Sequence, residues 1–341
     1  MNARYCGLMI FVANPLLAHH STLGFFDRQQ VIEIEGELLS LSMVNPHVRF
    51  VVEVTDASGN KVPWDIETSA VSVLRTRGLD QDFMEVGDHI RVSGNPSRRG
   101  RPEMSGLTVL LENGTEVVTA LRGSPYFTNP DDGKLLAPAF DPAAEEEARR
   151  SATGIFRVWS TVLEDPASFP MFKGQYPLTA QAQRERDAWN VQDEEQLRCW
   201  EKGMPLLMIT PVPIEFVQTG DDIVIRFEED DAERFIHMSG NIDAAGVAPS
   251  LLGYSTGRWE GRTLVVETSR IDFPYLDDRG APQSPDVHLL ERFTLSESED
   301  RLDYRVTVTD PATFSAPFDL TRYWTWRPEV TVGRWDCQQA E

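Results

Sequence analysis

Two opposite charges interrupt otherwise apolar strand faces near the end of the chain, and they are the residues best placed to do chemistry. In the run His288–Leu295, residues Leu289, Phe293 and Leu295 share a face with Glu291. In Phe318–Trp326, the face formed by Phe318, Leu320, Trp324 and Trp326 is broken by Arg322. The run between them presents Leu302, Tyr304, Val306 and Val308 together. Neighbouring strands lie about 4.8 Å apart, so the Glu291 and Arg322 backbones would be about 10 Å apart, a gap their side chains can close. A buried, unpaired charge is costly, so each must meet the other or a ligand. Two readings stay open. One is an ion pair that fixes the fold; the other is a polar anchor orienting a small, mostly apolar molecule in an apolar cavity. In the second, Glu291 acts as acid or base, with Arg322 setting its pKa, in a cofactor-free lyase, isomerase or cyclase. His288 is a further catalytic candidate from the opposite face. Tyr304, Trp259, Trp324 and Trp326 would line the ligand, or serve as core.

A second constellation lies at the front. Arg4, the apolar stretch Cys6 to Leu17 and then Ala18 have the anatomy of a secretory signal, so a mature chain would begin at His19. Its α-amino group, the imidazoles of His19 and His20, and His47 folding back would suit Cu(II), which favours nitrogen in tetragonal geometry. Met43 and Trp64 would add soft or aromatic contacts. The alternative is a pair of solvated histidines beside a cleavage point. No other cofactor is expected.

Composition narrows the partners. The 341 residues carry a formal charge of −22, which repels nucleic acid and anionic membrane surfaces. No apolar run is long enough to span a bilayer. Of three cysteines, Cys6 would leave with the expected signal. Cys199 and Cys337 are then expected to form a disulfide in the periplasm or outside the cell, with two buried thiols as the alternative. The loop Ser97-Arg98-Arg99-Gly100-Arg101 reads as a solvated hairpin tip, or else as an anion site.

The elements that must position these groups are mainly β. After a signal over residues 1–18, period-two alternation over 19–119 predicts five strands, with a short helix between the third and fourth. That pattern is a small OB-like barrel. Residues 120–203 read as a linker with helices near 141–150 and 178–189, within which Gly154 to Trp159 is offered as a first strand of the second domain. Residues 204–341 predict a larger antiparallel β-barrel, shaped as a lipocalin-like cup, or a sandwich. Nucleophile-elbow, phosphate-loop, dinucleotide and HExxH motifs are absent.

Ala18-His19-His20-Ser21, Asn45-Pro46-His47 and Gly-Asp-His-Ile-Arg-Val-Ser-Gly over 87–94 resemble a family of small exported bacterial domains of unknown function. Leu197-Arg198-Cys199, Gly257-Arg258-Trp259-Glu260-Gly261, Leu264-Val265-Val266-Glu267-Thr268, Leu290-Glu291-Arg292 and Cys337 are similar to a domain often found with it or alone. Glu291 and Arg322 fall on positions the resemblance also marks. Where such relatives commonly carry Gly-His-Ser, this chain has Gly253-Tyr254-Ser255. The resemblance implies export and a β-rich fold, and transfers no reaction. Three roles are therefore expected to compete. They are a binder or enzyme of a small apolar molecule in the larger barrel, a periplasmic copper-binding protein, and an envelope module recruiting a protein partner.

Overall fold

The computed structural model describes residues 25–77, 79, 83–129, 140–169, 175–189, 199–239 and 244–337. The expected signal and both His19 and His20 lie outside the described residues. Strands dominate, and the chain builds two closed barrels in succession.

The first barrel uses β1 (Ile32–Ser42), β2 (Arg49–Thr55), β3 (Lys61–Glu67), β4 (His89–Pro96) and β5 (Glu103–Leu110). β1 pairs with β2 and β4, β2 with β3, and β4 with β5, all antiparallel. β3 closes the ring on β5, and this pair runs parallel. A short β6 (Glu116–Val118) extends β5. Helix α1 (Val71–Arg75) sits between β3 and β4, as the OB pattern requires. Leu38, Phe50, Val52, Ile66, Ile90, Val92 and Val109 fill the barrel, from alternate positions of each strand.

Next come helix α2 (Pro142–Ser151), capped by the Asp141 carboxylate, and α3 (Ala180–Ala188), capped by the Thr179 hydroxyl. Between them lies β7 (Val158–Ser160), which pairs with strands of the second barrel. The larger barrel thus takes its first strand from the stretch expected to be linker. It overlaps the run Gly154 to Trp159, which the sequence offers as a first strand of the larger domain.

The remaining strands are β8 (Ile214–Thr219), β9 (Asp222–Phe227), β10 (Glu233–His237), β11 (Tyr254–Glu260), β12 (Thr263–Ser269), β13 (His288–Leu295), β14 (Arg301–Thr309) and β15 (Phe318–Trp326). With β7 they close a nine-stranded ring in which spatial neighbours are sequence neighbours. An uninterrupted antiparallel order cannot close on an odd number of strands, because direction flips at every step. One pair must run parallel, and it is β10–β11. The expectation of antiparallel neighbours throughout fails here for that geometric reason. Only Ile236↔Ser255 and His237↔Thr256 pair across this seam. A parallel pair needs a long crossover, and residues 238–253 supply it. Gly257 lets the strands approach: a Cβ there would stand 2.6 Å from both Ile236 Cγ2 and Met238 Sδ.

The second barrel is filled rather than hollow. A 3₁₀ turn, Leu206–Ile209, is buried at all four residues and joins the same core as Phe216, Phe293, Tyr304 and Trp324. The room a lipocalin-like cup would offer a ligand is thus occupied by this chain's own side chains.

The two barrels meet along α1 and the C-terminal tail, where Ala70, Val73, Leu163, Val212 and Trp335 pack together. Arg75 Nη2 reaches the fully buried Glu228 at 2.8 Å, and the Gly333 N–H donates to the same carboxylate at 2.8 Å. Asn45 donates to the Trp335 carbonyl and accepts from the Val71 N–H. Cys199 and Cys337 form a disulfide with a Cα–Cα distance of 5.9 Å, and Cys337 also bridges to Asn45. No helix among the described residues is long and apolar enough to cross a membrane.

Candidate functional site

Glu291 points into the barrel and is fully buried, but its cationic partner is Arg234 of β10, not Arg322. Arg234 Nη1 donates to Oε1 at 3.0 Å and Nη2 donates to Oε2. Tyr304 Oη donates to Oε1 at 2.9 Å and Thr268 Oγ1 to Oε2 at 3.0 Å. Four donors on two oxygens use essentially every lone pair a carboxylate has. Burial, together with the Glu291 charge, pushes the Tyr304 phenol well above its ordinary range, so it remains a donor. This arrangement is a saturated ion pair and leaves Glu291 no open face for acid–base work. Arg234 escaped the sequence reading although β10 alternates plainly: Arg234 and Ile236 turn inward, and Phe235, 50% exposed, turns outward.

Arg322 does enter the same interior, where it finds backbone instead of a carboxylate. Its Nη1 donates to the carbonyls of Met208 at 2.7 Å and Thr210 at 3.1 Å, and its Nη2 to Thr161 Oγ1 at 2.7 Å. Its guanidinium lies 4.3 Å from the Trp324 ring centroid. Burial pushes its pKa down to about 9, still above neutrality, so the group stays charged. The pairing expected of Glu291 and Arg322 is corrected for a physical reason: the Leu206–Ile209 turn satisfies Arg322 first.

The other expected residues scatter. His288 is exposed at the start of β13. Trp324 and Tyr304 are buried in the filled core, whereas Trp259 is 46% exposed on the outside of β11. Trp326 is half-buried between the guanidiniums of Arg149 and Arg157. The structure brings Glu291, Tyr304, Arg322 and Trp324 into one interior, packs Trp326 at its edge and leaves His288 and Trp259 outside it.

A cavity of about 470 Å³ opens instead beside the parallel seam of the second barrel. Phe235, Leu251 and Leu252 give it apolar walls, with Arg234 and Ser255 at the seam. Gly253 turns the chain into β11 with φ +68°, a conformation that suits glycine. The Tyr254 ring stacks on His237 at 5.1 Å, and His237 Nδ1 lies 3.1 Å from Asp222 Oδ2. The Met238 N–H and His237 hold the Asp222 carboxyl below its usual range, so Asp222 accepts and Nδ1 carries the proton. The Tyr254 hydroxyl is buried and has no hydrogen-bond partner among the described residues. Acidic side chains line the rest: Glu201, Asp230, Asp231 and Glu233, with Lys202 paired to Glu229. Burial and the neighbouring Glu229 charge raise Asp230 to about 6.

The histidine cluster is only partly on view. His47 is half-buried on the small barrel, its Nδ1 2.7 Å from the Thr68 carbonyl and its Nε2 3.9 Å from Glu67 Oε1. Met43 and Trp64 pack against the barrel's apolar clusters. Among the described residues no three His, Cys, Asp or Glu side chains gather as a metal site. Two of the three arginines of the basic loop are paired, Arg98 with Asp27 and Arg99 with Glu103.

Residues 8–107 match the sequence profile of a family of unknown function (DUF6152), less than half of the chain. No curated protein matches the chain.

Proposed function

We propose that the protein is an exported binding protein that holds a small, mostly apolar molecule in the seam pocket between β10 and β11. The observation that carries this reading is the Tyr254 hydroxyl, a buried donor left without a partner among the described residues, in the wall of a concave site with apolar and acidic walls. Such a group costs roughly 1–3 kcal/mol until something accepts from it, and a ligand is the natural acceptor. The cavity volume falls within the ~300–1,000 Å³ usual for small-molecule sites. Saturation of Glu291 argues for holding rather than turnover. The Cys199–Cys337 disulfide supports an oxidising compartment, and with it the periplasmic or secreted location.

The test is native mass spectrometry of protein exported to the periplasm, wild type beside Tyr254→Phe. Wild type should carry a co-purifying small molecule, and the variant should lose it while melting at an equal or higher temperature. A variant that melts several degrees lower and still carries the molecule would make the hydroxyl structural. An empty wild-type protein would favour the module that recruits a protein partner.

A further inference from the structure

The lining of the seam pocket is unbalanced in charge, and the imbalance bears on what kind of small molecule it suits. Four carboxylates, Glu201, Asp230, Asp231 and Glu233, line the cavity with two permanent cations, Lys202 and Arg234. Both cations are already spent: Lys202 Nζ pairs with Glu229, and Arg234 pairs with Glu291 inside the barrel. Glu233 shares the Arg226 guanidinium at 3.3 Å. Glu201, Asp230 and Asp231 form no ion pair among the described residues. What two of them hold is neutral. The Lys202 backbone N–H donates to Asp230 Oδ2 at 2.8 Å, and the Trp335 N–H to Asp231 Oδ1 at 3.2 Å. Such donors satisfy lone pairs and leave the negative charge in place.

An acidic cluster alone is ordinarily met by water and salt. Here a second group calls for a ligand, because Tyr254 is 7% exposed and its hydroxyl is unmet among the described residues. The two features mark different ends of the pocket. The register Ile236↔Ser255 sets Tyr254 beside Phe235, four residues along the chain from Asp231. That span is at most about 14 Å, room for a short apolar body. Phe235, Leu251 and Leu252 supply the apolar wall it needs. Asp230 registers the missing positive charge directly. Among Glu201, Lys202 and Glu229, burial and the Glu229 charge raise it to about 6, and a ligand cation beside it would relieve what the proton relieves.

We propose that the seam pocket takes an apolar molecule with a cationic amine at one end, held by Glu201, Asp230 and Asp231, and an oxygen acceptor at the other, held by Tyr254 Oη. This deepens the reading of the pocket as the binding site and rests on it. Anionic lipids and fatty acids are thereby disfavoured, since their head groups would meet the unpaired carboxylates.

The experiment is calorimetric titration of the full, signal-processed protein with three ethyl esters of matched length. Ethyl aminohexanoate carries a terminal ammonium, ethyl heptanoate a methyl in its place, and monoethyl adipate a carboxylate. All three keep the carbonyl that Tyr254 would bind. The ammonium ester should bind about tenfold more tightly than ethyl heptanoate, the return for one charge-assisted hydrogen bond, and the carboxylate ester most weakly. Glu201→Gln and Asp230→Asn should each shrink that advantage at least threefold, and Tyr254→Phe should weaken the ammonium and methyl esters alike. Equal or tighter binding of ethyl heptanoate would overturn the amine while leaving the pocket as the binding site. An ammonium preference untouched by both carboxylate variants would put the cation elsewhere on this acidic surface and overturn it too. Failure of all three esters to bind would remove the pocket reading together with the proposal.

Discussion

Arg234 and Glu291 stand 57 residues apart in sequence and close a two-pronged ion pair inside the nine-stranded barrel. The pair joins β10, on one side of the parallel seam, to β13 across the interior, with Thr268 and Tyr304 completing the shell. Removing one member leaves a buried, uncompensated charge. Arg234→Met should therefore cost about 3–5 kcal/mol in chemical denaturation, and Arg234→Met with Glu291→Leu should recover much of it. A double-mutant cycle should give about 2–3 kcal/mol of coupling for Arg234–Glu291 and about 0.5 or less for Arg322–Glu291. The reverse ranking would restore the pairing expected from the strand faces alone.

Asp230 lines the seam pocket with a pKa raised to about 6 by burial and by Glu229. An unfolded Asp titrates near ~3.9, so the native state holds its proton more tightly. Stability is therefore lost as pH rises from about 4 through about 6. Asp230→Asn removes that loss. The backbone here has φ 61°, which Asn tolerates. The variant should be more stable than wild type by about 1–2 kcal/mol at pH 7.5, allowing for partial exposure, and equal to it near pH 4. Urea melts at the two pH values check the sign; a variant less stable at pH 7.5 would contradict it.

Arg75 and Glu228 join the two barrels, and the carboxylate is fully buried. Arg75→Ala should cost about 1.5–3 kcal/mol at pH 7.5, the usual loss for a hydrogen bond to a charged group. Burial outweighs the Gly333 N–H and Arg75 and raises the Glu228 pKa. Acid then protonates the orphaned carboxyl, so the gap between variant and wild type should narrow at pH 5. Thermal melts at both pH values read this directly, and a gap that widens in acid would refute the role given to Glu228.

The Cys199–Cys337 bridge closes a loop with a sequence separation of 138 and pins the tail that contacts Asn45. In the chain-entropy account a loop this long contributes about 5 kcal/mol. Reduction, or Cys337→Ser, should lower the unfolding free energy measured by chemical denaturation by that order. Hydrogen exchange should rise first around Trp335 and α1, where the barrels meet. Unchanged exchange at those positions would show that the tail docks without the bridge.

Much of this fold was legible from alternation. The small barrel's strand sequence, the long strands β12 to β15 and the inward placement of Glu291 and Arg322 all follow from period-two patterns. Partner choice was not legible. Arg234 lies on a five-residue strand and meets Glu291 only because the ring closes, and Arg322 is diverted by a turn with no strand pattern. The seam pocket was hidden for a related reason. It arises from strand parity, a property of the whole ring, and Tyr254 begins a strand whose residues from Thr256 to Glu260 are half-buried or exposed. The resemblance drew attention to Gly253-Tyr254-Ser255, but only the closed barrel placed it in a cavity wall.

The most direct test of the account is a crystal structure of the exported protein with its co-purifying ligand. The account predicts ligand density between β10 and β11, within hydrogen-bond distance of Tyr254 Oη, and an unchanged core around Trp324 and Tyr304. Density inside the barrel, with the Leu206–Ile209 turn displaced, would contradict it.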